Sequence, residues 1–140
     1  MEQRIKVLQI TPGATPKTIF LQTSIEAFNN AVSIGAYEPG IAASIKLEDN
    51  IYLLYYKDRF FAGLSPNRRV KGRILFGIFY VVATDKETIP RSLTEIERKK
   101  YFTQFKYPEE FSEKEVVGEQ LEMVSQALDQ MIIPDTLDFE

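Results

Sequence analysis

Arg4 to Ile10 is rich in Ile, Val and Leu and predicts a strand, closed by the turn residues Thr11-Pro12-Gly13. Pro16 to Leu21 predicts a second strand, near enough to the first for a hairpin. Tyr37 to Leu47 predicts a weaker strand with a bulge or bend at Pro39-Gly40, and Glu48-Asp49-Asn50 predicts a turn. Ile51 to Tyr56 is almost continuously apolar or aromatic, the pattern of a central strand covered on both faces. Phe60 to Pro66 is expected to be irregular. Ile74 to Ala83 is the strongest strand signal, and Gly77 inside it marks a bulge or a close backbone approach.

Three helices are expected. Thr23 and Glu26 read as a capping box opening the first, with Ile25, Phe28, Ala31 and Val32 on one face and Gly35 as a stop. Ser92 and Thr94 compete to cap a short second helix ending near Phe105, where Tyr101, Phe102 and Phe105 cluster and Ile96 points elsewhere. The third opens at a Ser112–Glu115 capping box, with Phe111 and Val116 as a staple, and runs about 20 residues. Val117, Leu121, Val124, Leu128 and Met131 follow at 4-3-4-3 spacing, a narrow seam suited to a facing helix. It packs either on the chain's own sheet or on a second copy, with a homodimer slightly favoured.

Composition narrows the function. The 140 residues are 44% hydrophobic and 26% charged, enough for one domain with its own core. With no cysteine and no histidine, thiolate or imidazole zinc sites, cysteine nucleophiles and Ser-His-Asp triads are excluded within this chain. Met1 to Val7 lacks the apolar stretch of a signal peptide, and no apolar run approaches the roughly 20 residues of a membrane span. A cytoplasmic protein of a bacterial host, without a membrane partner, is expected.

The net charge of -3 hides an asymmetry. Lys57 to Arg73 holds six basic residues against Asp58, whereas Tyr107 to Glu140 holds ten acidic residues against Lys114. The candidate ligand-binding residues are therefore Gly63, Asn67, Arg68, Arg69, Lys71 and Arg73. Arginine forks suit phosphate or carboxylate, and Gly63 and Gly72 let backbone amides approach an anion. The structural alternative has Asn67 holding the loop through backbone bonds, Arg68 paired with a buried carboxylate or carbonyl, and the other charges solvated. Tyr52, Tyr55, Tyr56, Phe60, Phe61, Phe76, Phe79 and Tyr80 are either stacking surfaces for bases or, preferably, a sheet core.

Catalysis is disfavoured. Glu48-Asp49 and Glu109-Glu110 are adjacent pairs without the separation of a paired acid and base. No phosphate-binding loop or nucleophile elbow is present. No cofactor, catalytic residue or metal ligand is assigned.

Several segments, in order, resemble a family of small domains carried by bacteriophages, plasmids and conjugative elements, domain of unknown function 3846. They are Lys6-Val7-Leu8 with Ile10-Thr11-Pro12-Gly13 and Pro16, Ser24-Ile25-Glu26-Ala27-Phe28 with Val32 and Gly35, Gly63-Leu64-Ser65-Pro66-Asn67-Arg68, Gly77-Ile78-Phe79-Tyr80-Val81-Val82, and Ser92-Leu93-Thr94. The third resembles the family's Gly-Leu-Pro-Pro-Asn-Arg motif, with Ser65 in place of a proline. The resemblance covers about Arg4 to Phe105 and implies an accessory or counter-defence role in a mobile element, with no catalytic residue to carry over.

The expected fold is α+β: a mixed or antiparallel sheet of about five strands with two packed helices and an added C-terminal helix. Residues 1–106 form the domain and 107–140 an acidic helical extension. The expected function is a small non-enzymatic binding protein that sequesters a host protein or a nucleotide-like ligand. A nucleic-acid-binding accessory or regulatory protein is the alternative, and a metal-dependent hydrolase a weaker one.

Overall fold

The computed structural model describes residues 3–57 and 62–131. The chain divides into two compact units between residues 109 and 110, a little beyond the boundary expected at 106. The first unit is α+β. Its strands are β1 (Arg4–Ile10), β2 (Lys17–Gln22), β3 (Ala42–Glu48), β4 (Ile51–Tyr56), β5 (Pro66–Val70), β6 (Arg73–Phe76), β7 (Phe79–Thr84) and β8 (Pro90–Arg91); its helices are α1 (Ile25–Val32) and α2 (Glu95–Phe105). The main sheet runs β2-β1-β7-β4-β3, with short β8 also on β7, and β5-β6 form a separate hairpin. Every pairing is antiparallel.

Alternation along β7 explains why the sheet is covered on both sides. Phe79, Val81 and Ala83 join Leu8, Ile10, Ile51 and Leu53 in a core completed by Tyr101 and Phe105 of α2 and by Val70 and Leu75 of the hairpin. Phe79 and Phe105 meet edge to face, 5.3 Å between centroids. Tyr80 and Val82 join Ile5, Val7 and Tyr56 in the opposite core, closed by Ala31 and Val32 of α1. The Tyr80 hydroxyl is satisfied there by the Ala31 carbonyl at 2.9 Å. Phe76, Phe79, Tyr80 and Tyr56 are thus core residues, Tyr52 and Tyr55 are half-buried, and Phe60 and Phe61 lie outside the described residues.

Five sequence expectations are corrected. Ser24, not Thr23, caps α1, accepting from the Ala27 amide at 3.0 Å. Thr23 lies just past the end of β2, and its amide donates to the Gln3 carbonyl at 2.8 Å. The third strand begins at Ala42 rather than Tyr37 because the preceding backbone is engaged elsewhere: the Tyr37 amide on the Ala62 carbonyl, the Gly40 amide on Ser33 Oγ. Its register shift falls between Lys46 and Glu48, not at Pro39-Gly40.

The strand expected from Ile74 to Ala83 is two strands in different sheets. Gly77, at φ 83°, turns the chain between them, and its amide donates to the Ser65 carbonyl at 2.7 Å. The basic segment expected as a loop is the β5-β6 hairpin. Lys71 and Gly72 both have positive φ, 50° and 81°, the requirement of a two-residue primed turn between the paired Val70 and Arg73.

Of the two candidate caps for α2, Thr94 fills the role and forms a reciprocal capping box with Glu97. Glu97 also accepts both ends of the Arg91 guanidinium, at 2.8 and 2.9 Å. That bond, with help from the Thr94 amide, brings the Glu97 carboxyl down to about 2. Ser92 instead takes the Lys6 amide at 2.8 Å, fixing the chain beside β1. Tyr101 donates to Glu48 at 2.6 Å, and Lys100 to the other oxygen at 2.8 Å, holding α2 to β3. Burial, reinforced by Glu48, keeps the Tyr101 phenol protonated far above its usual range.

The second unit contains α3 (Glu113–Met131), opened by the Ser112–Glu115 capping box. Val117, Leu121 and Leu128 are exposed, Leu121 by 64%, and Val124 is half-buried. Met131 is the last helical residue, and its side chain lies outside the described residues. Among the described residues no helix is long and apolar enough to cross a membrane.

Candidate functional site

The basic segment separates into inward and outward residues. Asn67 is fully buried, and its amide nitrogen donates to the carbonyls of Ile10 at 2.9 Å and Gly77 at 2.8 Å. Its oxygen accepts from Arg68 Nη1 at 2.7 Å. Arg68 is 1% exposed. Nη1 also donates to the Thr11 carbonyl at 3.2 Å, and Nη2 donates to Ala14 at 2.6 Å and Phe105 at 2.8 Å. Burial lowers the Arg68 pKa, partly offset by Glu109, yet a guanidinium stays charged at neutral pH. Carbonyl oxygens take both terminal nitrogens in place of a counter-ion, while Nε is buried without a hydrogen-bond partner. Asn67 and Arg68 therefore form an internal clasp among β1, the turn after it, Gly77 and the end of α2. The Asn67 amide and both terminal nitrogens of Arg68 are thus engaged inside the protein, as in the structural alternative read from the sequence.

Arg69 and Lys71 are exposed, and each has a partner within the chain. Arg69 meets the Glu109 carboxylate through both its backbone amide, at 3.0 Å, and Nη1, at 3.2 Å. Lys71, at the hairpin turn, donates to the Lys46 carbonyl at 2.7 Å. Arg73 is half-buried opposite Val70. The six candidate residues thus do not converge on one anion site.

Gly63 lies elsewhere, and it marks the place where the distant motifs meet. A pocket of about 280 Å³ is lined by Thr11 and Pro12, by Ile34 and Gly35, by Gly63, Leu64 and Ser65, and by Gly77 and Ile78. These are four separated segments, three of them turned by glycines at positive φ. A Cβ on Gly63 would stand 2.5 Å from the Tyr37 ring, and one on Gly77 would stand 2.9 Å from Leu64. The clasp fixes this geometry from below, because Asn67 and Arg68 hold the carbonyls of Gly77 and Thr11.

The pocket lining is apolar side chain, hydroxyl and glycine backbone, with no titratable group among the described residues. Such a site can receive an apolar group and hydrogen-bond it, but it holds no acid, base or anion clamp. The exposed side chains of Ile34 (57%) and Tyr37 (81%) stand at Gly35 and Gly63. Among the described residues no three carboxylates gather to hold a metal ion. Ile34, Leu64, Ser65, Gly77 and Ile78 escaped selection because their neutrality hid them. The glycines at 35, 63 and 77, each beside an apolar residue, were the available signal. Comparison with protein-family models, curated proteins and solved structures found no match to this chain.

Proposed function

We propose that this chain is a small non-enzymatic binding protein that engages a host protein through the glycine-lined pocket. The observation that supports this over a nucleotide-like ligand is the fate of Arg68: the best placed cation is consumed by four internal hydrogen bonds, while the pocket built on it is neutral. Exposed Ile34 and Tyr37 beside a concave apolar site resemble the anchor-and-pocket arrangement of protein interfaces. The partner would insert one apolar side chain, and Thr11 and Ser65 would supply hydrogen bonds at the rim. The setting in a phage or mobile element, with a counter-defence or accessory role, rests on the resemblance of Gly63 to Arg68 and its companion segments.

The test is capture from bacterial lysate by the full chain, by Ile34→Glu and by the double variant Arg69→Ala, Lys71→Ala. A protein retained by wild type and the double variant, but lost with Ile34→Glu, supports the pocket. Capture of nucleic acid that depends steeply on salt and is lost only in the double variant overturns it in favour of the hairpin.

A further inference from the structure

β3 is the outermost strand of the main sheet on the β4 side, and its backbone groups divide by residue. The Ile41 carbonyl accepts the Lys57 amide at 2.9 Å, so Ala43 and Ile45, in step with Ile41, turn their amides and carbonyls toward β4. Ala42, Ser44 and Lys46 turn theirs outward. Two of these outward groups are taken from within the chain. The Ala42 amide donates to Asn29 Oδ1 of α1 at 2.8 Å, and the Lys46 carbonyl accepts from Lys71 Nζ at 2.7 Å. Between these two guards, the Ala42 carbonyl, both groups of Ser44 and the Lys46 amide have no hydrogen-bond partner among the described residues.

A groove of about 300 Å³ lies beside this window on the α1 face of the sheet. Ile25 and Phe28 of α1 line it together with Ile41, Ser44 and Leu54, and it shares no residue with the glycine-lined pocket. Directly opposed side chains of an antiparallel pair lie on the same face. A residue paired with Ser44 would therefore send its side chain into the groove.

The Lys46 end of the window is positive. Lys46 and Lys71 meet there with Asp49, which is 92% exposed and 3.0 Å from Lys46 Nζ. Glu48, the next carboxylate along, is already held by Lys100 and Tyr101. Two cations thus share one exposed carboxylate.

We propose that β3 accepts an extended peptide of a partner protein as an added antiparallel strand, with an acidic residue opposite Lys46 and an aliphatic residue two positions later, opposite Ser44. The form follows from backbone chemistry, since a row of outward donors and acceptors is matched by another extended backbone. The length follows from the guards: Asn29 and Lys71 delimit a window of five residues, Ala42 to Lys46, with four hydrogen bonds to offer. The side chains follow from the groove and the lysines. A second copy fits less well, because β3 paired with itself about Ser44 would set Ala42 opposite Lys46 and a serine into the apolar groove.

The capped peptide Thr-Glu-Val-Leu-Val-Thr serves as the probe, titrated into the full chain and followed by NMR amide exchange. At saturation the Ser44 and Lys46 amides are expected to exchange about tenfold more slowly, and the Ala42 amide, already bonded to Asn29, to stay as it was. Methylating the leucine nitrogen removes the donor to the Ser44 carbonyl and is expected to weaken binding about tenfold. Replacing the glutamate by lysine is expected to weaken it about fivefold, the range of an exposed ion pair. Ser44→Pro should abolish binding, and Thr18→Pro, which removes an outward amide from β2 at the far edge, should not change it. Equal affinity of the methylated peptide, protection at Thr18 and Phe20 in place of Ser44, or no response at millimolar peptide overturns the proposal. A Ser44 amide already protected without peptide, and more so as protein concentration rises, overturns it in favour of a second copy.

Discussion

Arg68 of β5 donates to the carbonyl of Phe105, the last residue of α2, at 2.8 Å. The helix has no basic residue in its own last turn, so a cation from a distant hairpin satisfies its negative end. Arg68→Ala would strand that carbonyl together with that of Ala14, and would leave the Thr11 carbonyl with the Ala14 amide alone. A loss of about 3 kcal/mol is expected in urea unfolding. Arg69→Ala, which removes a half-exposed pair with Glu109, should cost less than about 1 kcal/mol. Equal effects of the two substitutions would contradict the clasp.

Glu97 gives the fold an acid limit. Its folded value near 2 lies below the ordinary 4.5, so its contribution is complete above pH 4.5 and disappears as pH falls toward 2. Solvent at the Arg91 pair screens this to about 1 kcal/mol. Unfolding free energies measured between pH 6 and pH 2 should fall less steeply in Glu97→Gln than in wild type. Identical slopes would show that Glu97 is not the titrating group.

Thr88→Gly should stabilise the chain. Removing a β-branched side chain from positive φ relieves about 1–2 kcal/mol, against the added unfolded-state freedom of glycine, for a net gain of about 0.5 kcal/mol. Differential scanning calorimetry reads it as a higher midpoint, and a lower one would show that Thr88 makes contacts worth more than its strain.

The α3 seam is expected to pair with a second copy of itself. Leu121 is 64% exposed, so Leu121→Asp should leave protomer stability within about 0.5 kcal/mol of wild type. Sedimentation at tens of micromolar should give a dimer for wild type and a folded monomer for the variant. A monomeric wild type refutes the pairing.

Sequence patterns located most elements of the fold where local chemistry and tertiary demand agree. The apolar block at Ile51 and the box at Ser112 appear as read, and Thr94 is one of the two caps the sequence offered for α2. Thr23 and Ser24 were not separable locally, because the choice depends on how far the Thr23 amide stays paired to Gln3. The β5-β6 hairpin was hidden by its own polarity: Asn67 and Arg68 carry surface chemistry into the interior, and only Lys71-Gly72 betrays the turn. The pocket was illegible as a unit, since its four segments meet only after β1 and β7 pair across the sheet.

The central position of β7 governs how the chain can be assembled during synthesis. The β1-β2 and β3-β4 hairpins are each complete once their own residues emerge, yet both present a bare edge where β7 will lie. Neither edge is covered until Phe79 to Thr84 leaves the ribosome and slots between Leu8 and Ile51. Until then the nascent chain holds two sticky, half-finished ribbons separated by an entropically slow closure. A ribosome stalled while Phe79 to Thr84 is still inside its exit tunnel would therefore display an aggregation-prone intermediate, and one stalled after that strand has emerged would not.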